Sequence, residues 1–178
     1  MIETLGDTLD PAWRRALVEI FARHPAQMLE RTRDSTGFTL IHGDPNPGNI
    51  LAPIDGAGPV YLVDRQPFDW SLTTWLGVGD MAYVMVHWWE SERRRELELP
   101  ILHHYHAALE RRGVAGYAWE QLLRDYRLTA VQSVYVATEW CVLEEDRTRV
   151  RWNWEPQLRK AMTAFFDLQC VGLWDGGD

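Results

Sequence analysis

Residues 38–51 have the sequence FTLIHGDPNPGNIL, in which a β-rich run leads into a loop of Pro, Asn and Gly. That loop contains His42 and Asp44, and Asn49 follows Asp44 by five residues. Loops that follow strands present backbone groups and side chains to ligands. A turn alone rarely needs a carboxylate and a carboxamide so close together, so we interpret the pair as one half of a binding site.

The next predicted strand adds a third oxygen ligand to this pair. NILA, residues 49–52, and VYLVD, residues 60–64, are predicted strands, and the turn-rich segment PIDGAGP joins them into a hairpin. The hairpin would bring Asp64 beside Asp44 and Asn49. Carboxylate and amide oxygens suit Mg²⁺, and a carboxylate can orient a hydroxyl nucleophile. The combination is what phosphoryl transfer requires.

The spacing His-x-Asp-x-x-x-x-Asn, followed by an Asp at a strand end, is the arrangement of the protein-kinase catalytic loop and its metal-binding Asp. Gly43, at the second position of this motif, indicates a smaller group within the kinase-like proteins. The motifs LIHGDPNPGNIL, YLVD and GVGDMAYVM together resemble the aminoglycoside phosphotransferase and choline kinase-like family of small-molecule kinases. The resemblance covers residues 38–90 at the level of motifs.

The resemblance implies a role for each matched residue. Asp44 would be the catalytic Asp, and His42 would order its loop. Asn49 and Asp64 would bind the nucleotide through Mg²⁺, while Asp80 would brace the loop from behind as a structural residue. The implied reaction is the Mg²⁺-assisted transfer of the γ-phosphoryl group of ATP, or of GTP, to a hydroxyl group of a small molecule.

Helical patterns dominate the rest of the chain. Asp10 is a predicted N-cap with Pro11 at the first helical position, and Pro25 is expected to bend or end that helix. Residues 65–79 are predicted to be a long loop, and the charged residues 92–98 an exposed turn. Further helices are predicted from Asp80, from Pro100 to Gly113, over residues 118–146 and over residues 155–174.

These elements predict one domain over residues 1–178, of the α+β class and predominantly α. The catalytic and metal loops would occupy residues 38–80, and a helical substrate subdomain residues 80–178. The resemblance implies a protein-kinase-like C-terminal lobe in which a small β-hairpin carries the catalytic loop.

In the family that the chain resembles, an N-terminal β-lobe supplies a Gly-rich loop and a Lys that pairs with the phosphates. Residues 1–41 instead predict a helix and a connection, and the only Lys of the chain is Lys160. We therefore expect the C-terminal lobe with the N-terminal β-lobe absent. The chain would be either a shortened form of such a kinase or a half-enzyme that a partner chain completes. Arg65 stands where the family usually has an aromatic residue, and it is predicted to pair with a neighbouring carboxylate or to meet a phosphate.

Composition limits the partners. The net charge of −8 argues against nucleic acid and against an anionic membrane surface. No apolar run approaches the length of a membrane span, so we expect a cytoplasmic protein. Cys141 and Cys170 are too few and too far apart for a disulfide framework.

The acceptor is expected to meet acidic and aromatic side chains, which suit a cationic amine. The candidate contacts are Trp70, Glu139, Trp140 and Glu144. Core packing is the alternative role for each Trp. Apolar surface that an absent lobe leaves uncovered could instead support a homodimer.

Two other functions stay open at this point. The first is a catalytically silent lobe that serves as an interaction module, which the missing Lys and Gly-rich loop favour. The second is a metal-dependent hydrolase built on His42, Asp44 and the HHYH segment at residues 103–106. A solvated helix face is the simpler interpretation of that segment.

Overall fold

The structure, a computed structural model, describes residues 2–64 and 72–174. It is predominantly helical with a small β component, which confirms the predicted α+β class. Seven α-helices lie in these two ranges. Their bounds are Ile2–Leu5 (α1), Pro11–Arg31 (α2), Val78–Ala82 (α3), Ser91–Arg111 (α4), Trp119–Glu139 (α5), Glu144–Arg149 (α6) and Arg151–Asp167 (α7). Shorter turns are a π-helix at Tyr83–Trp88 and 3₁₀ helices at Gly6–Thr8, Pro47–Asn49 and Cys170–Leu173.

Four short strands in the described ranges form two antiparallel sheets of two strands each. Their bounds are Phe38–Leu40 (β1), Ile50–Leu51 (β2), Tyr61–Leu62 (β3) and Thr74–Leu76 (β4). β2 pairs with β3, with Ile50 opposite Leu62. The predicted hairpin around residues 53–59 is therefore confirmed.

β1 pairs with β4, with Phe38 opposite Leu76. The prediction of an unbroken loop over residues 65–79 is therefore wrong at β4. Its residues gain regular structure from a strand that is distant in sequence. Local turn composition cannot reveal such a partner.

Helix α2 begins as predicted. The Asp10 carboxylate accepts hydrogen bonds from the backbone N–H groups of Ala12, at 2.7 Å, and Trp13, at 3.4 Å. The helix does not end at Pro25 but continues to Arg31. Pro25 removes one backbone donor, yet the helix persists because buried residues on both sides of it pack into the core.

Helix α4 begins at Ser91, so the prediction of a turn over residues 92–98 is wrong, whereas the predicted exposure is confirmed for most of these residues. Arg94 and Glu98 are both buried in it, and the Arg94 guanidinium donates to Glu98 Oε2 at 2.7 Å. Arg94 also pairs with Asp167 on α7. These two charged residues are buried because each of them meets an opposite charge.

Three other helix boundaries differ from the prediction. α3 begins at Val78, so Asp80 lies in its first turn and is not an N-cap. The helix predicted over residues 118–146 ends at Glu139, and α6 is a separate short helix. The last helix begins at Arg151 rather than at residue 155, and it ends at Asp167.

The core is one cluster of buried apolar side chains, with its largest members on α5 and α7. Tyr126 on α5 and Trp154 on α7 are fully buried there. α3 packs against α5, and the Trp75 indole of β4 donates to Gln132 Oε1 of α5 at 3.3 Å. The core thus supports the loop that contains Asp44 through α3 and β4. Within the described ranges, we find no helix with the length and apolar character of a membrane span.

Candidate active site

The loop at residues 42–49, called here the Asp44 loop, connects β1 to β2 and is held by Asp80. The backbone N–H of His42 donates to Asp80 Oδ2 at 2.7 Å, and that of Gly43 donates to Oδ1 at 2.9 Å. Gly43 has φ +86°, a conformation that side-chain-bearing residues rarely adopt. Both Asp80 oxygens are therefore used to fix the loop, which is the contact that a bracing role requires.

The Asp44 carboxylate is partly buried and accepts hydrogen bonds on both oxygens. Oδ1 accepts from the Tyr83 hydroxyl at 3.0 Å and from Asn46 Nδ2 at 3.1 Å. Oδ2 accepts from Asn49 Nδ2 at 3.3 Å. A carboxylate oxygen can accept two such bonds, so Oδ2 retains capacity for a further donor such as a hydroxyl group.

Asn49 is buried at the end of the 3₁₀ turn Pro47–Asn49. Its Nδ2 donates to the Asp44 carbonyl oxygen at 2.9 Å and to the Asp44 carboxylate. These bonds fix which side of the amide carries nitrogen. Among the described residues no hydrogen bond is made to Asn49 Oδ1, so the amide presents an oxygen of the hard type that Mg²⁺ prefers.

The β2–β3 hairpin brings Asp64 to the Asp44 loop. The backbone N–H of Val63 donates to the Asn49 carbonyl at 2.9 Å, which extends the strand pairing beyond β3. His42 Nε2 lies 3.0 Å from the Val63 carbonyl, to which it can donate. Asp64 therefore follows directly after a residue that is bonded to both ends of the loop.

Asp64 itself is exposed and has φ +62°, in the left-handed region. This conformation is uncommon for any residue other than Gly, although Asp tolerates it better than most. Such backbone conformations cluster at functional sites, where the surrounding structure maintains them.

Asn49 and Asp64 are the two residues that were predicted to hold a metal ion. Among the described residues, no group of three or more His, Cys, Asp and Glu side chains could hold a metal ion. Mg²⁺ does not need such a group of three side chains, because it is commonly bound by one or two protein oxygens, with phosphate oxygens and water as its other ligands. A carboxylate and an amide oxygen fit that pattern.

Behind Asp44, three aromatic side chains pack on the π-helix Tyr83–Trp88. The Tyr83 ring stacks on His87, with 5.3 Å between centroids and 14° between planes, and Trp88 lies edge-on to both rings. Burial, together with the Asp44 charge, raises the pKa of Tyr83 far above neutrality, so its hydroxyl remains a donor. Burial also lowers the pKa of His87 to about 4.

Of the four predicted acceptor contacts, the three that the structure describes lie away from this loop. Glu139 and Trp140 lie at the end of α5, and Glu144 begins α6. Glu139 is seven residues beyond Gln132, the α5 residue that binds Trp75, which is about 10 Å along the helix. Within the described ranges, no hydrogen bond, ion pair or ring contact joins these three residues to the Asp44 loop. Trp70 and Arg65 lie outside the described residues.

The histidines of HHYH have other partners. His103 stacks on Trp119 at 3.9 Å between ring centroids, and His106 Nε2 lies 2.8 Å from the Tyr117 carbonyl. Both contacts tie α4 to the start of α5. This placement does not favour the hydrolase alternative, because no described contact connects these rings with His42 or Asp44.

Three residues at the site were missed in the sequence, namely Asn46, Tyr83 and His87. The Asn46 side chain closes a turn by accepting a hydrogen bond from the Gly48 N–H at 2.9 Å. Asn often makes this turn contact, so its place in a Pro-Asn-Pro-Gly run could have indicated it. Tyr83 follows Asp80 by three residues, and this spacing places the two side chains on one helix face. That spacing was the one available indication of Tyr83.

We compared the chain with known proteins in three ways. Neither the family models, nor the curated proteins, nor the solved structures gave a match.

Proposed function

We propose that this chain is a protein-kinase-like C-terminal lobe of an ATP-dependent small-molecule phosphotransferase, in which Asp44, Asn49 and Asp64 form the catalytic half-site. One observation carries the proposal. In the Asp44 loop, a carboxylate oxygen with room for a further donor among the described residues lies next to the Asn49 side-chain amide, and the bond from the Val63 N–H to the Asn49 carbonyl places the exposed residue Asp64 directly after that contact. The sequence resemblance supports the same assignment, and the proposed setting is the cytoplasm.

In this proposal Asp44 Oδ2 receives the acceptor hydroxyl as a hydrogen-bond donor and orients its oxygen toward the γ-phosphorus. A bond forms between that oxygen and phosphorus while the bond from phosphorus to the departing ADP oxygen breaks. The hydroxyl proton passes to Asp44. Asn49 and Asp64 would hold Mg²⁺, which neutralises phosphate charge when bound.

Residues 2–37 do not form the β-lobe that covers the phosphates in the family that the chain resembles. In that described segment the chain is helical or lies in turns, and it contains no strand. The single Lys also has other partners, because Lys160 Nζ lies 2.7 Å from Glu90 and donates to the Trp88 carbonyl at 3.3 Å. The proposal therefore assigns the covering of the nucleotide to another lobe or partner.

Transfer of the γ-phosphoryl group from labelled ATP to a panel of hydroxyl acceptors tests the proposal. The panel would include aminoglycosides, choline-like amines and sugars, since a cationic acceptor suits an acidic protein. Removing a group that accepts a proton in the transition state costs about 10²- to 10⁴-fold in rate. Asp44→Ala should therefore lower transfer at least about 100-fold while the fold is kept.

Asp55→Ala is the matched control for this assay, because Asp55 lies in the neighbouring β2–β3 hairpin and, among the described residues, its carboxylate accepts only a turn bond from the Ala57 N–H. Its transfer rate should equal that of the parent chain. Equal rates for Asp44→Ala and Asp55→Ala would reject the role of Asp44.

One observation favours a second candidate, a catalytically silent interaction module. Large apolar side chains are exposed on and beside both small sheets, namely Leu40, Leu51, Val60, Tyr61 and Leu62. Exposed apolar clusters mark interaction surfaces. A chain that does not bind Mg²⁺-ATP but self-associates through this surface, with Leu62→Glu abolishing the association in sedimentation experiments, would support the module instead.

A further inference from the structure

We infer that Tyr83 is a positioning residue for Asp44, which holds carboxylate oxygen Oδ1 so that Oδ2 is the oxygen that receives the acceptor hydroxyl. This inference rests on the proposed phosphotransferase function. It adds a residue to which the sequence resemblance assigns no role, and it assigns different tasks to the two oxygens of one carboxylate.

The two oxygens differ in their partners. Oδ1 accepts from the Tyr83 hydroxyl at 3.0 Å and from Asn46 Nδ2 at 3.1 Å, so its two lone pairs are occupied. Oδ2 accepts only from Asn49 Nδ2, at 3.3 Å, among the described residues. The carboxylate therefore has one anchored oxygen and one oxygen with an open position.

Tyr83 and Asp80 hold the loop from the same side. Asp80 accepts from the backbone N–H groups of His42 and Gly43, and Tyr83 donates to the side chain of Asp44. Three consecutive loop residues are thus bonded by two side chains one helical turn apart. The loop backbone is held from α3 and the Asp44 carboxylate from the first residue of the π-helix that follows α3.

The Tyr83 ring is itself held in place by the π-helix that begins at this residue. It stacks on His87, which is 2% exposed, and Trp88 packs against its edge. π-Helical turns are rare and occur often at functional sites. The hydroxyl therefore projects from a packed ring, which is the condition for holding a partner within a fraction of an ångström.

Tyr83→Phe is the informative variant because it deletes the hydroxyl and keeps the ring stack. Small misplacements of a reacting group cost up to about 100-fold in rate. We expect Tyr83→Phe to lower kcat for phosphoryl transfer about 10- to 100-fold with KM for Mg²⁺-ATP unchanged. Tyr135→Phe is the matched control, since that phenol lies on α5 and donates to the Ile20 carbonyl at 3.3 Å.

Crystal structures of the parent chain and of both variants provide a readout that does not depend on activity. The Asp44 carboxylate should turn about its side-chain torsion, or occupy two orientations, in Tyr83→Phe, and keep its single orientation in Tyr135→Phe. A turned carboxylate together with a fall in kcat alone would support the inference.

Three results would overturn it, and they can be told apart. An unchanged Asp44 orientation in Tyr83→Phe would exclude positioning by the hydroxyl. A turned carboxylate with kcat at the parent value would show that the orientation does not matter for transfer. If the parent chain neither binds Mg²⁺-ATP nor transfers a phosphoryl group while the carboxylate turns only in Tyr83→Phe, the positioning contact is kept but the proposed function fails, and the role of that contact in transfer fails with it.

Discussion

Asp80 connects the helical core to the Asp44 loop through two short hydrogen bonds from backbone N–H groups. In Asp80→Ala both donors lose a charged acceptor, and each such bond contributes about 1.5–3 kcal/mol. We expect a loss of about 3–6 kcal/mol in the free energy of unfolding, measured by urea denaturation. Asp55→Ala should show little change, and equal stability of the two variants would contradict the bracing role.

His87 makes the fold sensitive to acid. Burial lowers its pKa from 6.5 to about 4 in the folded chain, so between these values the unfolded chain binds a proton that the folded chain excludes. Stability therefore falls as the pH decreases through this window. Between pH 7 and pH 5 the loss due to His87 is about 2 kcal/mol.

Urea denaturation at pH 7 and pH 5 measures this effect, with His87→Phe as the comparison. Burial also lowers the pKa of His24, which contributes in the same direction in both proteins and cancels in the difference. The parent chain should lose about 2 kcal/mol more than the variant. Identical losses would show that His87 titrates normally in the folded chain.

The site residues that could be predicted from the sequence are those that lie close together in it or at the end of a strand. Asp44 and Asn49 are five residues apart, and a hairpin turn predicts the position of Asp64. The Tyr83 contact to Asp44 spans 39 residues and depends on how α3 packs against the core. The spacing from Asp80 places Tyr83 on the same helix face, but it does not show that the hydroxyl reaches Asp44, so that contact could be recognised only in three dimensions.

Helices α2 and α5 are joined by a buried ion pair. Asp125 is fully buried and accepts four hydrogen bonds, from Arg31 at 2.7 and 2.8 Å, from Tyr117 at 2.8 Å and from Gln121 at 2.8 Å. Arg31→Met would leave this carboxylate without its cation. Breaking a buried pair in this way costs about 3–5 kcal/mol.

Arg33→Met is the matched control, because Arg33 forms an exposed pair with Glu30 only two residues from Arg31. Exposed pairs contribute little to stability. Thermal and urea unfolding should show a large loss for Arg31→Met and almost none for Arg33→Met. Similar losses in both variants would mean that the α2–α5 pair does not stabilise the fold.

The same kind of pair explains why the start of α4 was predicted wrongly. Residues 92–98 are strongly charged, which is typical of an exposed segment. Arg94 is nevertheless buried because Asp167, 73 residues away, and Glu98 both accept from it. The predicted start at Pro100 is also wrong, since the helix passes through that residue. Helix N-caps such as Asp10 could be predicted because their contacts are local.

In the molecule as a whole, the apolar core that stabilises the fold and the residues of the proposed site lie on different elements. One apolar cluster contains the buried faces of the longer helices, whereas the Asp44 loop and the hairpin that bears Asp64 lie on two small sheets with exposed apolar side chains. The predominance of helices could be predicted from composition and periodicity. The pairing of β1 with β4 could not, because it joins segments more than thirty residues apart.

The melting temperature with and without Mg²⁺-ATP tests the half-site most directly, with Asp64→Asn measured alongside and Asp55→Asn as control. At a ligand concentration about tenfold above Kd, binding to the native state alone stabilises it by about 1.4 kcal/mol. For a chain of this size the midpoint should rise by about 3–6 °C. We predict that rise in the parent chain and in Asp55→Asn, and its loss in Asp64→Asn. No rise in the parent chain, or an equal rise in Asp64→Asn, would contradict a metal-nucleotide site at Asn49 and Asp64.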